Sequence, residues 1–118
     1  MAKYFFSNKA ICQKLLLFIV LTMVQIRENS FLARIAARKL KANSVAMVIG
    51  NTIHLYNVTR EIFLQDERWL NHEMAHVEQY KRYGLLRFLL LYTWYSIKFG
   101  YTNNPFEIEA REREKGLR

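Results

Sequence analysis

The stretch Asn71-His72-Glu73-Met74-Ala75-His76-Val77-Glu78-Gln79 carries two histidines four residues apart. On a helix that separation is about one turn, so both imidazoles leave the same face and can reach a single metal ion. Asp66 can cap such a helix, and Trp69, Leu70, Met74 and Val77 fall close to helical spacing within it. The helix is expected from about Asp66 to Tyr83, with Gly84 ending it. Two imidazoles do not complete a catalytic zinc shell, which takes three protein ligands and leaves its fourth position to water. The rest of the chain must therefore fold so that a third ligand returns to this helix.

No histidine follows His76, so that ligand is sought among the downstream carboxylates. Leu85 to Phe99 reads as a helix whose polar residues are Arg87, Thr93, Ser96 and Lys98, closed by Gly100. Folded back antiparallel at about 1.5 Å per residue, it retraces roughly 22 Å and returns the chain to His72 and His76. A last helix then starts there, from Pro105 to about Lys115, with Asn104 and Pro105 suited to the N-cap and first helical positions. Glu107 lies in its first turn, with Glu109 as the competing ligand. Glu107 also occupies the position at which a glutamate completes a capping box, so ligand and cap are alternatives that spacing leaves open.

His72-Glu73-x-x-His76 is the H-E-x-x-H pattern of zinc peptidases. Glu73, one residue after the first histidine, points beside the metal without ligating it. There it can act as general base, taking a proton from an activated water and passing it to a leaving group. Hydrolysis also needs a donor for the developing oxyanion, for which His54, Tyr95 and Tyr101 are candidates.

Upstream the period changes twice. Asn29 or Ser30 can cap a helix from Phe31 to about Lys41, with Phe31, Leu32, Ile35 and Ala36 inward and Arg34, Arg38 and Lys41 outward. Val45–Ile49 and Thr52–Tyr56 are β-rich runs divided by Gly50-Asn51, which reads as a hairpin with a tight primed turn and as the one clear β element. At the amino end, Lys3, Lys9 and Lys14 precede the apolar run Leu15–Val24, which is shorter than the roughly 20 residues of a membrane span. It lacks a small-x-small cleavage site, so residues 1–28 read as a buried or membrane-associated helix. The fold class is thus α+β and mainly helical, in one domain spanning residues 1–118 with its metal-site core at 45–115.

His72-Glu73-x-x-His76 followed by Glu107-x-Glu109-Ala110 resembles the gluzincin group of zincin-like metallopeptidases, in which a later helix supplies the glutamate ligand. More closely, residues 70–112 resemble small bacterial DUF4157-like domains of unknown function, while residues 1–44 contribute nothing to the likeness. The resemblance implies a minimal zincin-like fold, one zinc per chain held by His72, His76 and Glu107, and Glu73 as catalytic base. It departs at Arg111, where many gluzincins carry an aspartate that orients a zinc-bound histidine. That role would fall to Gln79, Glu78 or Glu109.

Composition narrows the remaining options. The single Cys12 excludes both an internal disulfide and a cysteine-type structural zinc site. The formal charge of +8 includes a basic cluster at Arg34, Arg38, Lys39 and Lys41, but no aromatic-interleaved basic motif accompanies it, so no nucleic-acid partner is expected. The reading is a zinc metallopeptidase acting on a peptide or protein. The alternative is a non-catalytic metal-binding module touching a membrane through residues 15–24 or 85–99. The sequence leaves localisation open between the cytoplasm and a membrane surface.

Overall fold

The computed structural model describes residues 23–116, so the readings on residues 1–22 lie outside the described part. The hairpin forms as the sequence indicates, with β2 (Val45–Ile49) antiparallel to β3 (Thr52–Tyr56) and Ile49 opposite Thr52. Gly50 turns at φ 65° while Asn51 stays at negative φ, the pattern of a II′ turn that matches strand twist. A third strand, β1 (Gln25–Arg27), pairs parallel to β3 with Ile26 opposite Ile53. The hairpin is therefore not the whole β structure. The sheet order is β1-β3-β2, which puts β3 in the centre and, among the described residues, leaves one side of β2 unpaired.

Five helices follow or flank this sheet among the described residues: α1 (Phe31–Leu40), α2 (Arg60–Gln65), α3 (Glu67–Tyr83), α4 (Leu85–Phe99) and α5 (Pro105–Arg113). The architecture is α+β and mainly helical. Ser30 caps α1 by accepting from the Ala33 amide, and Asp66 caps α3 by accepting from Trp69. α1 faces the sheet differently from its predicted orientation. Ala33 and Ala37 are its buried residues, while Phe31 is 72% exposed and Leu32 and Ile35 also meet solvent. Alanines let the helix approach the strands closely, packing against Val45, and no larger inward side chain would fit that contact.

The main core joins Ile53 and Leu55 of the sheet to Phe63 of α2, Leu70, Val77 and Tyr80 of α3, Phe88 of α4 and Phe106 of α5. Ring contacts between α3 and α4 run backwards along the chain: Phe88 lies 4.3 Å from Tyr80, and one turn on Tyr92 lies 6.3 Å from His76. That is the pairing of antiparallel neighbours, so α4 does retrace α3. It is not enclosed, however. Phe88 is its one buried residue, and Trp94 and Phe99 stand outside because α4 meets the body along one side only. No helix among the described residues is long and apolar enough to cross a membrane.

Two features deliver α5 to its place. Gly84 adopts φ 83° and ψ 160°, a region open essentially to glycine, and this reverses the chain between α3 and α4. Asn104, fully buried, caps α5 by accepting from the Phe106 amide while its own amide donates to the Tyr92 carbonyl (3.1 Å) and to Ser96 Oγ (2.9 Å). The start of α5 is thereby pinned to α4. A methyl at position 84 would meet nothing within 4 Å, so its cost is purely conformational. Gly84→Ala is expected to lower unfolding stability by about 1–3 kcal/mol, read by urea denaturation.

Candidate metal centre

Helical geometry puts His72 and His76 on one face of α3, and α5 lays Glu107 across both. His72 Nε2 lies 3.2 Å from one Glu107 oxygen and His76 Nε2 lies 2.9 Å from the other. The three ligand-type atoms fall within 4.8 Å of one another, and the group can hold a metal ion. Glu107 does not complete a capping box. It also accepts a hydrogen bond from the Tyr92 hydroxyl at 3.2 Å and has Tyr101 beside it, and the cap is served by Asn104.

The outward nitrogens explain why the inward ones point as they do. Gln79, fully buried, uses its amide NH₂ to donate to the Phe106 carbonyl and to a Glu109 oxygen, each at 3.1 Å. Its carbonyl oxygen must then be the atom 2.8 Å from His76 Nδ1, so Nδ1 carries the proton. His72 Nδ1 lies 3.0 Å from Glu114, a carboxylate that can only accept. Both Nε2 lone pairs therefore face the Glu107 carboxylate. Acceptors in that arrangement repel unless a cation, either a proton or a metal, lies among them. Two imidazole nitrogens and one carboxylate, with both outer N–H groups held, form a donor set that fits zinc.

The electrostatics of the protein without metal follow from the same geometry. Burial alone would lower the His76 pKa, but hydrogen bonding and attraction to Glu107 outweigh it and raise it to about 8. His72 moves upward for the same reason, again against burial. Glu107 moves the opposite way: burial would raise it, yet the two histidines hold it well below the usual carboxylate range. Glu73, buried beside them, is pushed up to about 7 by desolvation, with His76 and His72 opposing. A carboxyl poised there can hold or release a proton near neutrality.

A cleft of about 390 Å³ opens onto this cluster between α1, β2, α3 and α4, with His72, Glu73, His76 and Glu107 in its lining. Of the three oxyanion-donor candidates, Tyr101 lines the cleft. His54 instead packs 2.8 Å from Ser30 Oγ, and Tyr95 stacks on Phe99 and meets Phe106. Tyr92, not singled out from the sequence, also lines the cleft, its hydroxyl pushed well above the normal phenol range by burial and by Glu107. Among the candidates for orienting a histidine, Gln79 contacts His76 directly, Glu109 braces Gln79, and Glu78 pairs outside with Arg113 at 2.8 Å. Arg111 bonds to the Thr102 carbonyl. Glu114 was missed, although its spacing of two helical turns from Glu107 places both on one side of α5.

Residues 19–84, more than half of the chain, match the family model for the eCIS core domain, and the chain belongs to that family. The match takes in His72, Glu73 and His76 and stops short of Glu107. It also reaches back to residue 19, so the segment before residue 45 does share in the family likeness. No curated protein and no solved structure matches the chain.

The raised His76 value fixes a pH dependence for the protein freed of metal. A group whose folded value exceeds its ordinary 6.5 contributes stability that is complete below 6.5 and lost as pH rises through about 8. Glu73, raised from 4.5 to about 7, acts in the same direction. The melting temperature of chelator-treated protein is expected to fall between pH 6 and pH 9, and Glu107→Gln is expected to flatten that fall.

Proposed function

We propose that this eCIS core domain is a zinc-dependent hydrolase of peptide bonds, with one zinc held by His72, His76 and Glu107. The observation that carries the reading is the convergence of two imidazole Nε2 atoms and a buried carboxylate on one point, with Glu73 beside them in an accessible cleft. Zinc in such a shell acts as a Lewis acid on a carbonyl and acidifies water.

The chain's own groups have separable roles. Gln79 and Glu114 keep each imidazole in the tautomer that exposes Nε2. Glu73 takes the proton from attacking water at its carboxylate and delivers it to the departing amine, a task suited to a value near 7. Tyr101, the oxyanion-donor candidate that lines the cleft, would donate to the oxygen that gains charge. The side of β2 away from β3, unpaired among the described residues, borders the same cleft, which supports an extended peptide lying along it as an added strand.

Metal analysis and a peptide-library assay test the reading together. Wild type is expected to hold about one zinc per chain. Glu73→Gln should keep the metal and lose roughly 10²–10⁴-fold in rate. Glu114→Ala should weaken zinc binding about 10–100-fold, and His76→Ala should abolish it. Full activity in Glu73→Gln would end the mechanism, and absence of zinc in wild type would end the metal reading.

One observation favours a second reading, a non-catalytic module resting on an anionic membrane. Leu86, Leu90, Trp94 and Ile97 form a stripe along α4 that is at least 58% exposed, in a chain of net charge +8. Sedimentation with anionic vesicles, in the absence of any hydrolysis, would select it.

A further inference from the structure

The cleft is larger and more apolar than a metal centre requires. Its polar groups other than Lys39 come from α3, α5, Tyr92 and Tyr101, gathered around the histidine–glutamate cluster. The remaining lining is apolar: Ala36 and Leu40 of α1, all five residues of β2, and Phe88 and Leu89 of α4. An apolar hollow of this kind is costly to leave hydrated, and away from Lys39 its wall offers no partner for a buried charge on an incoming side chain.

The two walls differ in stiffness. Phe88 is locked by rings of the core, 4.3 Å from Tyr80 and 4.8 Å from Phe106, so its surface is preformed. Met47, on the α1-facing side of β2 and packed beside Ala33, Ala37 and Val45, is unbranched and is the lining side chain best able to adjust to the shape of an occupant. The volume of about 390 Å³ lies within the range typical of small-ligand sites and leaves room for a large side chain beside a held peptide group.

We infer that this wall is a specificity pocket, one that seats an uncharged leucine- to phenylalanine-sized side chain next to the peptide bond held at the candidate centre. Its position beside a scissile bond rests on the hydrolase reading; its preference for hydrocarbon rests on the lining alone. Lys39 at the rim is the one cation in the lining outside the centre, and it sets the chief competing outcome, an acidic side chain captured there.

Two measurements on the full chain separate these points. The first is binding of amino-acid hydroxamates to the zinc-loaded protein by calorimetry. Leucine and phenylalanine hydroxamates are expected to bind roughly ten- to a hundredfold more tightly than acetohydroxamate, and lysine and glutamate hydroxamates no more tightly. Leu89→Glu should erase the apolar advantage. Equal binding of all side chains, or preference for glutamate hydroxamate, overturns the pocket and leaves the metal reading standing. The second measurement needs no metal: N-acetyl-leucinamide should shift the methyl resonances of Met47, Leu40 and Leu89 in the chelated protein, and N-acetyl-glycinamide should not. Failure of every hydroxamate to bind, with those methyl shifts present, would remove the metal centre and keep the pocket. Absence of the shifts overturns it.

Discussion

Three acceptors aimed at one point are unstable together unless a cation stands among them, and this arrangement depends on much of the surrounding architecture. α3 supplies two of the acceptors because a four-residue interval places them on one helical face. The third cannot come from α3, so the chain must leave that helix, retrace it and return. Gly84 permits the reversal, α4 spans the distance, and Asn104 fixes where the returning helix starts. The sheet and α1 contribute no acceptor; they form the side of the cleft facing the cluster and shield it from bulk water.

Neutralising so concentrated a site depends on how the surroundings hold the protons. Gln79 and Glu114 hold a proton on the far side of each imidazole, which fixes the ring orientation and turns each Nε2 toward Glu107. Packing reinforces this. Tyr92 lies near the His76 ring and donates to Glu107, while Phe106 is wedged among Tyr83, Phe88 and Tyr95. Side chains locked on several sides cannot turn away from one another, so proton affinities shift instead: burial raises Glu73, while hydrogen bonding and attraction between the histidines and Glu107 overcome burial to raise the first and lower the second.

The parts legible in the sequence were those written in local chemistry. Asp66 before a periodic run, Gly50-Asn51 between β-branched stretches, and Asn104-Pro105 before a glutamate each act within a few residues, and each marks an element where the structure has one. The parts that were not legible depend on distant partners. Gln25–Arg27 is a strand only because Thr52–His54 lies alongside, and three residues carry too little pattern to announce it. The inward side of α1 was misjudged because size, not hydrophobicity, decides what fits against the strands: Ala33 and Ala37 take the contact that Phe31 and Ile35 would on polarity alone. Glu114 gave no separate signal, since a glutamate in a run of alternating charges reads as solvated surface until His72 is seen beside it.

Gln79 gives the centre an unusual dependence on the order of assembly. The residue sits on α3, three positions from His76, yet the two groups that set its amide, the Phe106 carbonyl and Glu109, lie 27 and 30 residues further along. Until α5 docks, nothing tells the imidazole which nitrogen to protonate. Local helix formation, which takes microseconds or less, can therefore bring the histidines together without making them a competent pair. Competence arrives only with long-range closure, as a property of the completed tertiary structure. The centre thus reports on global folding, and a half-folded chain would present histidines but no site.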